Sequence, residues 1–201
     1  RPVNCSTCYG KCVRDIVDNT PGMTVAKLRE VVDTLLNIIQ RANARPEEWP
    51  NRVLRIRNKM FQARVMDVNG AWLALRAVGY RITPRRELPA EAKEFLGEVQ
   101  KQMPVSEQGP VDPEELFLFL EEPQPESGGN FMEAWNVWHD NLKAFVDFMK
   151  AWDQELTRRG VGLGSFGQSS RACDMISSDE IIEIYTKHLS SVNARADPAR
   201  K

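Results

Sequence analysis

The chain has 201 residues, a formal net charge of −1, 42% apolar and 27% charged residues. That composition is enough for a packed core in one or two domains, and it excludes a polycation that coats nucleic acid by bulk charge. No apolar run approaches the length of about eighteen residues that a membrane-spanning helix needs, and the four cysteines do not form a regular disulfide framework.

The charge is unevenly spread. Between Arg41 and Arg86 eleven arginines and lysines face only Glu47, Glu48 and Asp67, whereas residues 112–126 are acidic. The sequence opens at Arg1 without an apolar leader and reads as a piece of a longer chain, with a cytoplasmic or nuclear setting as the default expectation.

Residues 1–21 hold Cys5, Cys8 and Cys12 and little apolar periodicity, so they are expected to be a loose tail. The alternative is half of a truncated zinc module, since cysteines spaced as Cys5 and Cys8 can clasp one tetrahedral ion. From Val25 to Ala42 apolar residues recur at three and four, with Thr24 as N-cap, and predict a helix. Pro46 ends that region and Pro50 imposes a bend before Arg52. Val53, Ile56, Met60, Phe61 and Val65 then share one helical face. Asn69-Gly70 marks a turn, and Ala71–Val78 forms a helix closed by Gly79. A further helix starts at Pro89, with Phe95, Leu96 and Val99 on its apolar side.

The stretch from Arg52 to Tyr80 resembles the PUB domain of peptide:N-glycanase and of ubiquitin-pathway UBA and UBX proteins. Ile56, Asn58, Phe61, Arg64, Val68, Gly70, Ala71, Leu75 and the Gly79-Tyr80 end carry the resemblance, with Asn37-Ile38-Ile39 before them and Ala90–Val99 after. It covers roughly residues 24–103. The resemblance implies a helical bundle with a small sheet or extended edge. It further implies capture of the acidic, Tyr-containing C-terminal tail of a valosin-containing-protein-type AAA ATPase. By position, Asn58 would bond the peptide backbone and Arg55 would meet its acidic or carbonyl groups. Arg52, Lys59, Trp49, Asn51 and Tyr80 complete the implied site. The aromatic that stacks on the peptide in the family falls at Asn51 here, with Trp49 two residues away, and the extended segment after Tyr80 is shorter than usual.

Read without the family, an arginine-rich face suits an acidic peptide because the guanidinium fork donates two parallel hydrogen bonds to a carboxylate. The plainer readings are a solvated face for Arg52, Arg55, Arg57 and Lys59, and a helix cap for Asn58.

Residues 105–129 read as a linker with a short apolar helix, opened by Asp112-Pro113 and running into Leu116–Leu120, then broken by 123–129. The longest periodic run follows: Phe131, Trp135, Trp138, Leu142, Phe145, Met149, Trp152 and Leu156. This seam packs inside the chain, onto a helical partner, or onto a second copy. Residues 160–167 contain the G-x-G-x-x-G pattern, but they follow a helix and no kinase signature comes after, so they read as a linker. Ser177 and Glu180 form a capping box that opens a last helix, and 193–201 read as a disordered tail.

The expectation is an all-α chain: a PUB-like peptide-binding domain over 22–104 and a second helical module over 130–192. No credible catalytic constellation or cofactor site is evident, so a non-catalytic adaptor in the ubiquitin–proteasome and protein quality control pathway is expected. A nucleic-acid binder using the arginine-rich face is the alternative from another class, and the few aromatics among those arginines argue against it.

Overall fold

The structure, a computed structural model, describes residues 6–104, 109–124, 130–161, 171–184 and 186–187. Its helices are α1 (Ser6–Val17), α2 (Val25–Ala44), α3 (Trp49–Arg52), α4 (Lys59–Phe61), α5 (Ala71–Val78), α6 (Ala90–Gln102), α7 (Phe131–Arg158) and α8 (Ala172–Met175). A π-helical turn, Gln62–Met66, extends α4, with the Asp67 amide donating to the Gln62 carbonyl five residues back at 2.8 Å. Three short strands, β1 (Val53–Arg55), β2 (Tyr80–Pro84) and β3 (Leu116–Leu120), form one antiparallel sheet in the order β1-β3-β2. The fold is thus mostly helical with a small sheet. Among the described residues no helix is long and apolar enough to cross a membrane.

α2 is the axis of the core. Thr24 caps it, its hydroxyl oxygen accepting from the Lys27 amide, and Leu28, Val32, Leu35 and Ile39 are fully buried along one stripe. α7 lies on that stripe and buries Leu142, Phe145, Met149, Trp152 and Leu156 against it. The periodic seam is therefore intramolecular from Leu142 onward. Burial of five large side chains, at about 1.5–3 kcal/mol each, holds this half of the seam on α2.

One buried cation fastens the two helices. Arg29 pairs with Asp33 on α2 (Nε–Oδ1 3.2 Å) and Asp153 on α7 (Nη2–Oδ1 2.7 Å). Its Nη1 also donates to the Thr157 hydroxyl at 2.9 Å and to the Asp153 and Val161 carbonyls at 3.2 Å. Burial raises the pKa of Asp33; Arg29 opposes the shift, and hydrogen bonding and repulsion from Asp153 add to it.

The single helical face expected from Val53 to Val65 does not form: Val53–Arg55 is strand β1 and Met60 is exposed. Three further expectations need correction. The first is the loose tail. Residues 6–17 are α1, whose Cys12, Val13, Ile16 and Val17 enter the main core. Helix α1 passes so close to Gly70 that a Cβ there would lie 2.5 Å from the Cys12 carbonyl oxygen, and Gly70 has φ +83°. The second is the apolar helix at 116–120, which is the central strand of the sheet. Leu118 and Leu120 join the main core, while Phe117 and Phe119 face a second cluster of Val53, Leu88, Ala92 and Leu96. Both faces of β3 are covered, hence the unbroken apolar run. The third is the division into two modules: the segment expected to link them supplies the middle strand, and α7 shares the core of α2.

The capping box forms as read, with the Ser177 amide donating to Glu180 at 2.9 Å and the Glu180 amide to the Ser177 hydroxyl at 3.2 Å. It opens a helical stretch over 178–184. The G-x-G-x-x-G pattern and the tail at 193–201 lie outside the described residues, apart from Gly160 and Val161.

Candidate functional site

The sequence-identified residues around Arg52 fall into two groups. Asn51, Arg52 and Tyr80 are buried. The Tyr80 hydroxyl donates to the Asn51 carbonyl at 2.7 Å, and burial pushes its pKa far upward. Arg52 donates from Nε to the Leu120 carbonyl at 3.0 Å and from Nη1 to Glu122 at 3.2 Å, with Trp49 and Phe119 against its guanidinium. Burial lowers the Arg52 pKa, against the pull of Glu122. These contacts tie α3 to β2 and β3, so Arg52 and Tyr80 hold the scaffold together.

Asn58, Lys59 and Arg57 are exposed, and Trp49 and Arg55 are half-buried. Asn58 is the N-cap of α4: its Oδ1 accepts from the Met60 amide at 3.0 Å and the Phe61 amide at 3.1 Å. The plainer reading of this residue thus describes what its oxygen does. Arg55 pairs with Glu115 (Nε–Oε1 2.9 Å), which Arg85 also approaches at 3.7 Å, and Arg57 pairs with Asp112 at 3.3 Å. The acidic segment before β3 therefore neutralises much of the basic stretch from within.

A groove does open beside this region, on the face of α2 turned away from α7. It holds about 230 Å³ and is lined by Thr34, Asn37, Ile38 and Arg41 of α2, Pro50 and Asn51 of α3, Leu54 of β1 and Arg64 of the π-helical turn. Of the implied site residues only Asn51 lines it. The Asn51 amide nitrogen donates to the Arg45 carbonyl at 3.1 Å and to Glu48 at 3.2 Å, while its Oδ1 is buried with no hydrogen-bond partner. A buried acceptor left open calls for a donor from whatever fills the groove. Arg41 is exposed and has no ion pair among the described residues; Arg64 reaches Glu30 only at 3.7 Å. Ile38 and Leu54 supply an apolar floor. The groove can thus take a carboxylate at its rim, an apolar side chain on its floor and an N–H at Asn51. Arg41 and Arg64 counted among the basic residues and Asn37-Ile38 among those carrying the resemblance. The signal that joins them is the spacing of Thr34, Ile38 and Arg41, a polar-edged stripe opposite the core stripe.

Cys12 is 5% exposed within the core, and Cys173 lies 3.8 Å from the Asp174 carboxylate. Cys5 and the Cys8 side chain lie outside the described residues. Among the described residues no group of three or more His, Cys, Asp or Glu side chains is placed to hold a metal ion. His139 stacks on Trp135 at 4.9 Å, and its Nε2 lies 3.2 Å from the Asn43 carbonyl, so its contacts tie α7 to α2.

No protein-family model, curated protein or solved structure matches this chain.

Proposed function

We propose that the chain is a non-catalytic adaptor that captures an acidic C-terminal peptide in the groove between α2 and α3. The observation that carries this reading is a groove lined by Arg41, Arg64 and Asn51, whose buried Oδ1 has no hydrogen-bond partner. An extended peptide end supplies what each wall lacks: a backbone N–H for Asn51, an apolar side chain for Ile38 and Leu54, and carboxylates for the two arginines. The resemblance to PUB domains supports the tail of a valosin-containing-protein-type AAA ATPase as the peptide, in protein quality control. So small a contact implies micromolar affinity.

The test is calorimetric titration with a ten-residue acidic, Tyr-containing tail peptide of such an ATPase, beside Arg41→Glu and Arg64→Glu. Asn58→Ala is the weaker choice because it removes a helix cap. Micromolar binding that drops at least tenfold in both variants is the expected result. Binding that survives both charge reversals sinks the groove assignment, and no binding by the parent sinks the partner.

A further inference from the structure

At the opposite edge of the sheet a second, larger cleft separates β2 from the first half of α7. It holds about 1110 Å³, above the ~300–1,000 Å³ typical of small-molecule sites. It shares no lining residue with the tail groove. One wall is an edge strand: β2 lies outermost in the sheet, and among the described residues it pairs only with β3. Strand edges are commonly blunted by charge or covered, yet Ile82 in the middle of β2 is 44% exposed. The facing wall is a helical stripe of Glu133, Ala134, Val137 and Trp138, with Val137 47% exposed.

Two features show what is missing from the cleft. The Trp138 indole Nε1 is buried and has no acceptor. Four rim charges, Arg76 and Arg81 against Glu121 and Glu133, have no ion-pair partner among the described residues, although Arg76 does lie over the Trp72 ring at 5.7 Å. The three residues of β2 that line the cleft, Tyr80, Arg81 and Ile82, span roughly 10 Å at about 3.3 Å each, and the stripe from Glu133 to Asn141 spans roughly 12 Å at about 1.5 Å per residue. Both walls therefore match three or four extended residues. A helix would leave the open backbone of β2 unused.

We propose that this cleft docks an extended segment of a partner protein as a fourth strand on β2. Its alternate apolar side chains lie against Val137 and Trp138, an acidic residue meets Arg76 and Arg81, and a basic one meets Glu121 and Glu133. The main chain supplies the attachment, and the α7 wall and the rim charges select the sequence.

The experiment selects peptides from a displayed library of eight random residues on the whole chain and measures the synthesised winners on the parent and on Val137→Glu. Each winner is also made with N-methyl groups on the odd or on the even amides. The proposal expects a Kd raised at least tenfold by Val137→Glu and by one methylation register but not the other, because successive amides of a strand point opposite ways. Winners indifferent to Val137→Glu, or equally sensitive to both registers, overturn it. A parent dimer that Val137→Glu converts to monomer assigns the cleft to a second copy and overturns it as well. Thermal melting confirms that the variant folds; Ala134→Arg, also at an exposed site, replaces it if it does not.

Discussion

Replacing Gly70 with alanine tests the seating of α1. Two effects add at this position. The left-handed backbone costs a side-chain-bearing residue about 1–2 kcal/mol. The new methyl would sit 2.5 Å from the Cys12 carbonyl oxygen, 2.8 Å from the Asp15 Cβ and 3.2 Å from the Ile16 amide nitrogen. Backbone atoms of a packed helix yield only if the helix moves, and overpacking of that kind costs about 1–3 kcal/mol more. The expected loss is about 2–5 kcal/mol, or on the order of 5–15 °C in Tm for a chain this long. Gly160→Ala is the matched control, because Gly160 has φ +80° and nothing within 4 Å of its would-be Cβ. Urea unfolding of both variants separates the two effects: the control reads the conformational part, and the difference reads the contact with α1. Equal losses in the two variants would refute the close approach of α1 to the turn.

Arg29→Met should destabilise the chain by about 3–5 kcal/mol in urea unfolding, because it strands Asp33 and Asp153 in a partly buried site. A loss below about 1 kcal/mol would show that solvent reaches both acids. The pH response of the C-terminal region has a definite sign. Glu155 is held down to about 2, first by its hydrogen bond from Arg158 and then by that from Arg159; Glu180 is held down to about 2, first by Arg159 and then by Ser177. Lowered carboxylate pKa values stabilise the fold fully above the ordinary value of 4.5 and lose that effect as pH falls toward 2. Amide exchange over 178–184 should therefore accelerate in that window, with a smaller change in Arg159→Gln; identical profiles would sever the link.

The helices of the chain were legible because their apolar periodicity is strong: α2, α5, α6 and the buried half of α7 fall where spacing places them. β3 was not, for a physical reason. A strand covered on both faces has no alternation, so Leu116–Leu120 offers the same pattern as a buried helical turn. α1 was obscured by its cysteines, which drew the reading toward metal, although Cys12, Val13, Ile16 and Val17 already trace a helical stripe. At the candidate site, the arginines were visible as composition but not as geometry. Arg52 looks like Arg57 in sequence, and only the fold buries the one and exposes the other. Glu115 and Asp112 neutralise Arg55 and Arg57 from about sixty positions away, a pairing no local pattern reports.

The strand order also dictates when the molecule can exist. β1 and β2 are made early, yet neither touches the other; each must wait for Leu116–Leu120 to arrive between them. During synthesis the first half emerges with two lone strand edges and a bare α2 stripe, a state that long-range closure resolves slowly. A fragment cut at residue 104, where the peptide-binding unit was expected to end, would keep every residue lining the groove and lack the strand that fixes Arg52 and the helix that covers α2.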